Sequence, residues 1–193
     1  MKKLTSLIFL ILILLISFGC KDTTEFPAFP RYEFSTDELS VKEFDELIIT
    51  YPSYMSVLLE SEKLTYDSEG DLEIEYYDGE KDEYSWLSLL TAKVGEDVRV
   101  SDVTAVDLKL TALDFEEPMI LTSMEYFTID GKEMFLARFD MTDEYYDEYG
   151  TEYWMSGIYD YDTSSLYSIN VQCDAGMCMN DCLAILSHID FKM

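Results

Sequence analysis

The 193-residue chain reads as an α+β fold. The expected architecture is an antiparallel sheet of about six to seven strands, ending in a four-strand meander, with helices packed on its faces. Three observations predict it. Two β-rich runs between Met124 and Met141 flank Asp130-Gly131, the preferred pair for a two-residue type I′ hairpin turn. Leu72, Ile74 and Tyr76 alternate with Glu73 and Glu75, the period of a strand with one buried and one wet face. Cys178, Cys182, Ile185 and Leu186 recur instead at helical spacing.

The chain opens on a leader. Lys2 and Lys3 precede ten consecutive apolar residues, Leu7 to Ile16, and then Ser17-Phe18-Gly19-Cys20. A cationic start, a short apolar run and a small residue before a cleavage point make a secretory signal. An uncleaved membrane anchor fits less well, because Leu4 to Phe18 falls short of the roughly 20 residues needed to span a bilayer. The cysteine after Gly19 makes residues 1–19 resemble a bacterial lipoprotein signal, with Cys20 as the lipidated residue. Ser17 and Phe18 depart from that family's usual box; Gly19 and Cys20 fit it. The resemblance implies a membrane partner held through the N-terminal lipid and a place in the bacterial cell envelope. Lys21, where an aspartate would retain the protein at the inner membrane, points to the outer membrane or surface.

Residues 20–35, with Pro27 and Pro30 and no apolar period, are expected to be a flexible tether. Residues 36–193 then form a single domain. Ser40 with Glu43 makes a capping box before Val41, Phe44 and Leu47, so a helix is expected over 40–47. Leu47 to Tyr51 is a β-rich run stopped by Pro52. Strand character returns from Leu58. Leu64 and Tyr66 should pair with Leu72 to Tyr76 across the turn residues Asp67 to Gly70. Trp86, Leu89, Leu90 and Lys93 predict a helix over 83–93, with Gly95 at its stop. Val106, Leu108 and Leu110 alternate and predict a strand over 105–113. The hairpin around Asp130-Gly131, strands over 152–161 and 166–173, and a helix over 177–187 complete the chain.

Loose motifs then resemble the PsbP/Mog1-like domain. Ile48-Ile49-Thr50-Tyr51-Pro52 is similar to its apolar strand followed by Tyr-Pro. Thr128-Ile129-Asp130-Gly131 is similar to its central hairpin, and Ala184 to Phe191 to its ending. The usual Trp after the Pro is replaced by Tyr54 or Met55. The resemblance spans Phe44 to Phe191. It implies a binding or assembly accessory rather than an enzyme, and it supplies no catalytic residue.

Charge bounds the partners. Loss of the leader removes Lys2 and Lys3 but no acid, leaving 11 basic against 40 acidic side chains, a balance of −29. Nucleic-acid affinity depends on neutralised phosphates, so DNA and RNA are excluded as partners. The acids are spread along the chain, the pattern of a solvated surface; the sharper alternative is a face for basic partners or divalent cations.

Three thiols remain if Cys20 is lipidated: Cys173, Cys178 and Cys182, in a compartment that permits disulfides. Cys178 and Cys182 are one helical turn apart, roughly 5–6 Å at Cβ, whereas a disulfide needs about 3.5–4.5 Å. A bond from Cys173 to Cys178 or to Cys182 is therefore expected, leaving one thiol over. The rivals are a three-thiolate site completed by His188, and free buried thiols. His188, the only histidine, is expected to be a protonated imidazole at a helix C-terminus that does not face its neighbour Ser187. Tyr145, Tyr146 and Tyr149, with Tyr153 and Trp154, form the expected binding patch, aromatics set among acids; the alternative is that half of them pack under the loop as core. No nucleophile elbow, zinc-protease motif or phosphate loop is present in the sequence, and no cofactor is implied. The reading is a non-enzymatic binding or assembly domain with another envelope protein as its second partner. Alternatives are an envelope hydrolase using paired carboxylates and a cation-binding domain.

Overall fold

A computed structural model describes residues 25–66, 70–79, 83–95, 97–113, 119–141, 151–173 and 177–192. The elements in chain order are β1 (Leu39–Glu43), β2 (Leu47–Pro52), β3 (Ser56–Glu60), β4 (Leu72–Asp78), β5 (Glu83–Lys93), α1 (Ala105–Leu113), β6 (Met119–Ile129), β7 (Lys132–Met141), β8 (Glu152–Asp160), β9 (Ser165–Cys173), α2 (Met177–Ser187) and β10 (Asp190–Phe191). Seven strands form one antiparallel sheet in the order β3-β4-β5-β9-β8-β7-β6; β1, β2 and β10 form a second, small sheet. The fold is α+β, and the meander β6 to β9 is as expected.

Its central turn explains itself. Ile129 pairs with Lys132 across Asp130 and Gly131, which both have positive φ, 48° and 75°. A type I′ turn requires that sign at both positions, and the Asp-Gly pair tolerates it.

Strict alternation along β7, β8 and β9 divides the core between the faces of the large sheet. On the first face Leu72, Ile74, Leu87, Leu89, Met134 and Ile169 pack beneath α2 and the small sheet. On the second, Phe135, Phe139, Met155, Tyr159 and Leu166 pack beneath Val98, Val100, Val103 and Leu108 of the α1 region.

Three expected elements are different in the structure. Residues 40–47, expected to be helical, form β1 and the start of β2, in register from Leu39↔Pro52 to Glu43↔Ile48. The Ser40 hydroxyl pairs with that of Ser53 at 2.9 Å instead of capping a helix. So short a helix is marginal by itself, and strand pairing prevails. Residues 83–93 form β5, an interior strand hydrogen-bonded to β4 and β9. A strand buried on both sides is nearly continuously apolar, and its Trp86, Leu89, Leu90 spacing imitates a helix. Residues 105–113 are helical, not extended. Thr104 and Asp107 form a reciprocal cap, with Thr104 N donating to Asp107 Oδ2 at 3.0 Å and Asp107 N to Thr104 Oγ1 at 3.3 Å. That cap nucleates α1 and overrides the alternation. β4 also takes β3 as its hairpin partner, not Leu64 to Tyr66. Those residues are held in the connection by Asp71, whose buried carboxylate accepts from Thr65 N at 2.6 Å and Thr91 Oγ1 at 2.6 Å.

The stretch expected to be a flexible tether is docked from Phe26 onward. Ala28 bridges Thr128 in parallel, with Phe29 N donating to Thr128 O at 2.7 Å and Thr128 N to Pro27 O at 2.8 Å. Phe26 stacks on Tyr126, and Phe29 packs edge-on to Phe127. This strap covers the β6 edge of the sheet, an edge that would otherwise expose unpaired backbone groups. Aromatic side chains at every third or so position override the two prolines.

Lys132 and Asp160 form a largely buried ion pair at 3.0 Å across β7 and β8. Burial pushes the Asp160 carboxyl up, but the Lys132 ammonium and hydrogen bonds from Thr163 outweigh it and hold the group below its ordinary 3.8. A depressed folded pKa gives stability that is present above the unfolded value and lost as pH falls through the folded one. Urea-unfolding midpoints should therefore drop as the pH is taken below about 4, and Asp160→Asn should flatten that drop.

Candidate binding surface

Of the expected aromatic patch, Tyr145, Tyr146 and Tyr149 lie outside the described residues. Tyr153 and Trp154 do not share a surface: neighbours along a strand point to opposite faces. Tyr153 is 6% exposed in the second-face core beside Phe139, and burial raises its phenol pKa well above the usual value. Trp154 packs against the first-face core and donates from Nε1 to Glu152 Oε2 at 3.0 Å. Arg138 pairs with the same Glu152 and lies 5.9 Å from the Trp154 ring.

Cys173 and Cys182 belong to one buried cluster on the first face. Cys173 Sγ is 3.4 Å from Met179 Sδ, and Cys182 carries a free thiol. The Cys178 side chain and Cys20 lie outside the described residues. Among the described residues no three His, Cys, Asp or Glu side chains converge as a metal site, and no helix is long and apolar enough to cross a membrane.

Ser187 and His188 touch, contrary to expectation, because α2 ends at Ser187 and His188 lies in the following turn. Ser187 Oγ is 3.1 Å from His188 Nδ1. The pair nonetheless does structural work. Arg31 Nε donates to His188 Nε2 at 3.2 Å, and Nδ1 lies 2.9 Å from Ala184 O. Both ring nitrogens are thus engaged by groups of the strap and of α2. Ser187 Oγ accepts from Tyr32 N at 3.1 Å. Six residues earlier in α2, the fully buried Asp181 accepts from Ser35 N at 2.7 Å, Ser35 Oγ at 2.5 Å and the Tyr54 hydroxyl. All these groups bind the strap to the last helix.

The polar face that takes no part in such structural duty lies elsewhere. On the second face of the large sheet, β4, β5 and β9 align three rows by register: Tyr77 with Tyr84, then Glu75 with Trp86 and Gln172, then Glu73 with Ser88 and Asn170. Residues directly opposite have Cβ atoms roughly 5 Å apart, so each row is a continuous contact surface. Tyr77 is 62% exposed, Trp86 and both glutamates are half-buried, and Ser88 and Asn170 are 1% and 3% exposed. Neither glutamate has an ion pair or hydrogen bond among the described residues. Ser88 Oγ and Asn170 Oδ1 are buried without a hydrogen-bond partner. The rows therefore descend from exposed rings, past two carboxylates, to two orphaned polar atoms.

Sequence reasoning missed this face because it placed 83–93 on a helix, which scatters Tyr84, Trp86 and Ser88. The signal was present: they alternate with Ser85, Leu87 and Leu89 at period two.

No protein-family model matches the chain, and no curated protein matches it in sequence. Among solved structures, a crystal structure from Bacteroides thetaiotaomicron VPI-5482 is similar at a TM-score of 0.40 and 13% identity, over 76% of this chain and 45% of that one. The solution structure of cyanobacterial PsbP (CyanoP) from Synechocystis sp. PCC 6803 is similar at a TM-score of 0.57 and 12% identity, over 91% of this chain and 98% of that one. With both chains covered almost end to end at that score, the fold is PsbP-like.

Proposed function

We propose that the protein is a lipid-anchored domain of the bacterial cell envelope, tethered through Cys20, that binds a partner without catalysing a reaction. The observation that supports the non-catalytic part is the engagement of the buried aspartates and of the one histidine. Asp71, Asp160 and Asp181 each accept hydrogen bonds from neighbouring main-chain or side-chain donors, and the Ser187–His188 pair is locked by Arg31 and Tyr32. A general acid or base needs a free position within reach of substrate, and these groups are taken up by structural bonds; Glu73 and Glu75 are not, and they belong to the binding face. The PsbP-like fold supports the same reading through the accessory role that the sequence resemblance implies.

The anchor accounts for the strap. Only Lys21 to Glu25 separate Cys20 from Phe26, whose ring stacks on Tyr126, and six residue steps span at most about 22 Å. A lipid on Cys20 would therefore hold the domain close to the bilayer. Cells grown with labelled palmitate should yield a labelled wild-type band and an unlabelled Cys20→Ala band. Equal labelling of both rejects the anchor.

A further inference from the structure

We infer that the β4-β5-β9 face is a binding site for a primary ammonium group, from a free polyamine or from a lysine side chain of a partner. The inference rests on the reading of the domain as a binding module, and it names the chemistry that the face recognises.

The three rows carry no cationic side chain. Asn170 Oδ1 only accepts hydrogen bonds, Ser88 Oγ can accept them, and both are buried without a partner. Leaving such atoms unsatisfied is costly, so a native structure needs a reason for them. Beside them in the same row stands Glu73, and one pleat further Glu75, two carboxylates with no cationic neighbour among the described residues. A ligand that completes the site brings several N–H donors and a positive charge.

An alkylammonium suits it better than a bare metal ion. Its three N–H groups can reach a carboxylate, a hydroxyl and an amide oxygen together, and the Glu73–Ser88–Asn170 row spans about 10 Å, two strand spacings. Trp86 and Tyr84 flank the carboxylates on the same face. Their rings offer apolar contact to the methylene stem and a negative π-face to the cation. A divalent cation would leave those rings unused and would find two carboxylates where hard-cation sites gather six or more oxygens. The net charge of −27 on the whole chain draws such a ligand in from a distance.

The test uses the purified full chain, acylated or not, carrying Trp154→Phe so that indole fluorescence reports on Trp86. It is titrated with spermidine, with tri-lysine and with fully acetylated tri-lysine. Saturable quenching by spermidine or tri-lysine, but not by the acetylated peptide, is expected. Spermidine alone indicates a free polyamine, and tri-lysine alone a protein side chain. Glu73→Gln and, separately, Ser88→Ala should weaken binding about tenfold or more, while Glu38→Gln, an exposed acid outside the rows, should leave it unchanged. Equal weakening by Glu73→Gln and Glu38→Gln, with none from Ser88→Ala, would reduce the effect to diffuse counter-ion attraction and overturn the site. So would quenching by Ca²⁺ with none by the amines. Because the titration is indifferent to acylation, a failed anchor and a failed site give separate results.

Discussion

Replacing Gly157 with alanine is expected to destabilise the domain by about 3 kcal/mol, although alanine is ordinarily the better strand residue. Gly157 sits in β8 opposite Phe135 of β7 and Ser168 of β9. A Cβ there would lie 2.4 Å from Phe135 Cε1 and 3.0 Å from its Cζ. The ring is fully buried in a layer with Phe139, Met155 and Tyr159, so it has nowhere to swing. The entropic gain from removing a glycine is at most about 1 kcal/mol, so the clash decides the sign. Phe135→Leu should relieve it. In the double variant the two costs should fail to add by more than about 0.5 kcal/mol, the limit for independent sites. Urea denaturation of the four proteins measures this, and strict additivity would show that the ring does not occupy the space above Gly157.

The second large effect is at Asp181. Asp181→Ala should cost about 2–3 kcal/mol and release the strap. A carboxylate with no exposure is tolerated in α2 because Ser35 and Tyr54 supply its donors, and hydrogen bonds to a charged acceptor are worth about 1.5–3 kcal/mol. Ser35 is exposed, and Tyr54 is 40% exposed. Once released, their donors reach water, which limits the penalty. Amide exchange of residues 31–35 should accelerate far more than that of β7 or β9. Asp181→Asn keeps an acceptor for Ser35 N and should show less than half the loss. Unchanged exchange at 31–35 in the alanine variant would mean that the aromatic contacts of Phe29 and Phe34 hold the strap without the carboxylate.

The parts of the fold legible in the sequence are those where one signal stands alone. Asp130-Gly131 admits a single turn geometry, and the runs beside it alternate cleanly because each face meets a separate core. The last helix carries its apolar stripe toward the first-face core. The misread segments are those where tertiary context decides. β5 carries apolar side chains on both faces, so the helical spacing of Trp86, Leu89 and Leu90 outweighed its period-two alternation. α1 is set by a local Thr104–Asp107 bond that outweighs the pattern of Val106 and Leu108. β1 exposes Val41 at 61%, and its pairing with β2, not its composition, makes it a strand. The strap was masked by its prolines, whose partner is an edge strand a hundred residues away. For the site, strand alternation parts Tyr153 from Trp154, and register instead joins Glu73, Glu75, Tyr84 and Trp86 on β4 and β5.

The anchor through Cys20, the central claim, is tested most directly by the intact mass of the protein extracted from envelope membranes of the cell that makes it. The account predicts a chain beginning at Cys20 and heavier than that sequence by its acyl chains. A chain that still begins at Met1 with no added mass, or one recovered from the cytosol, would contradict it.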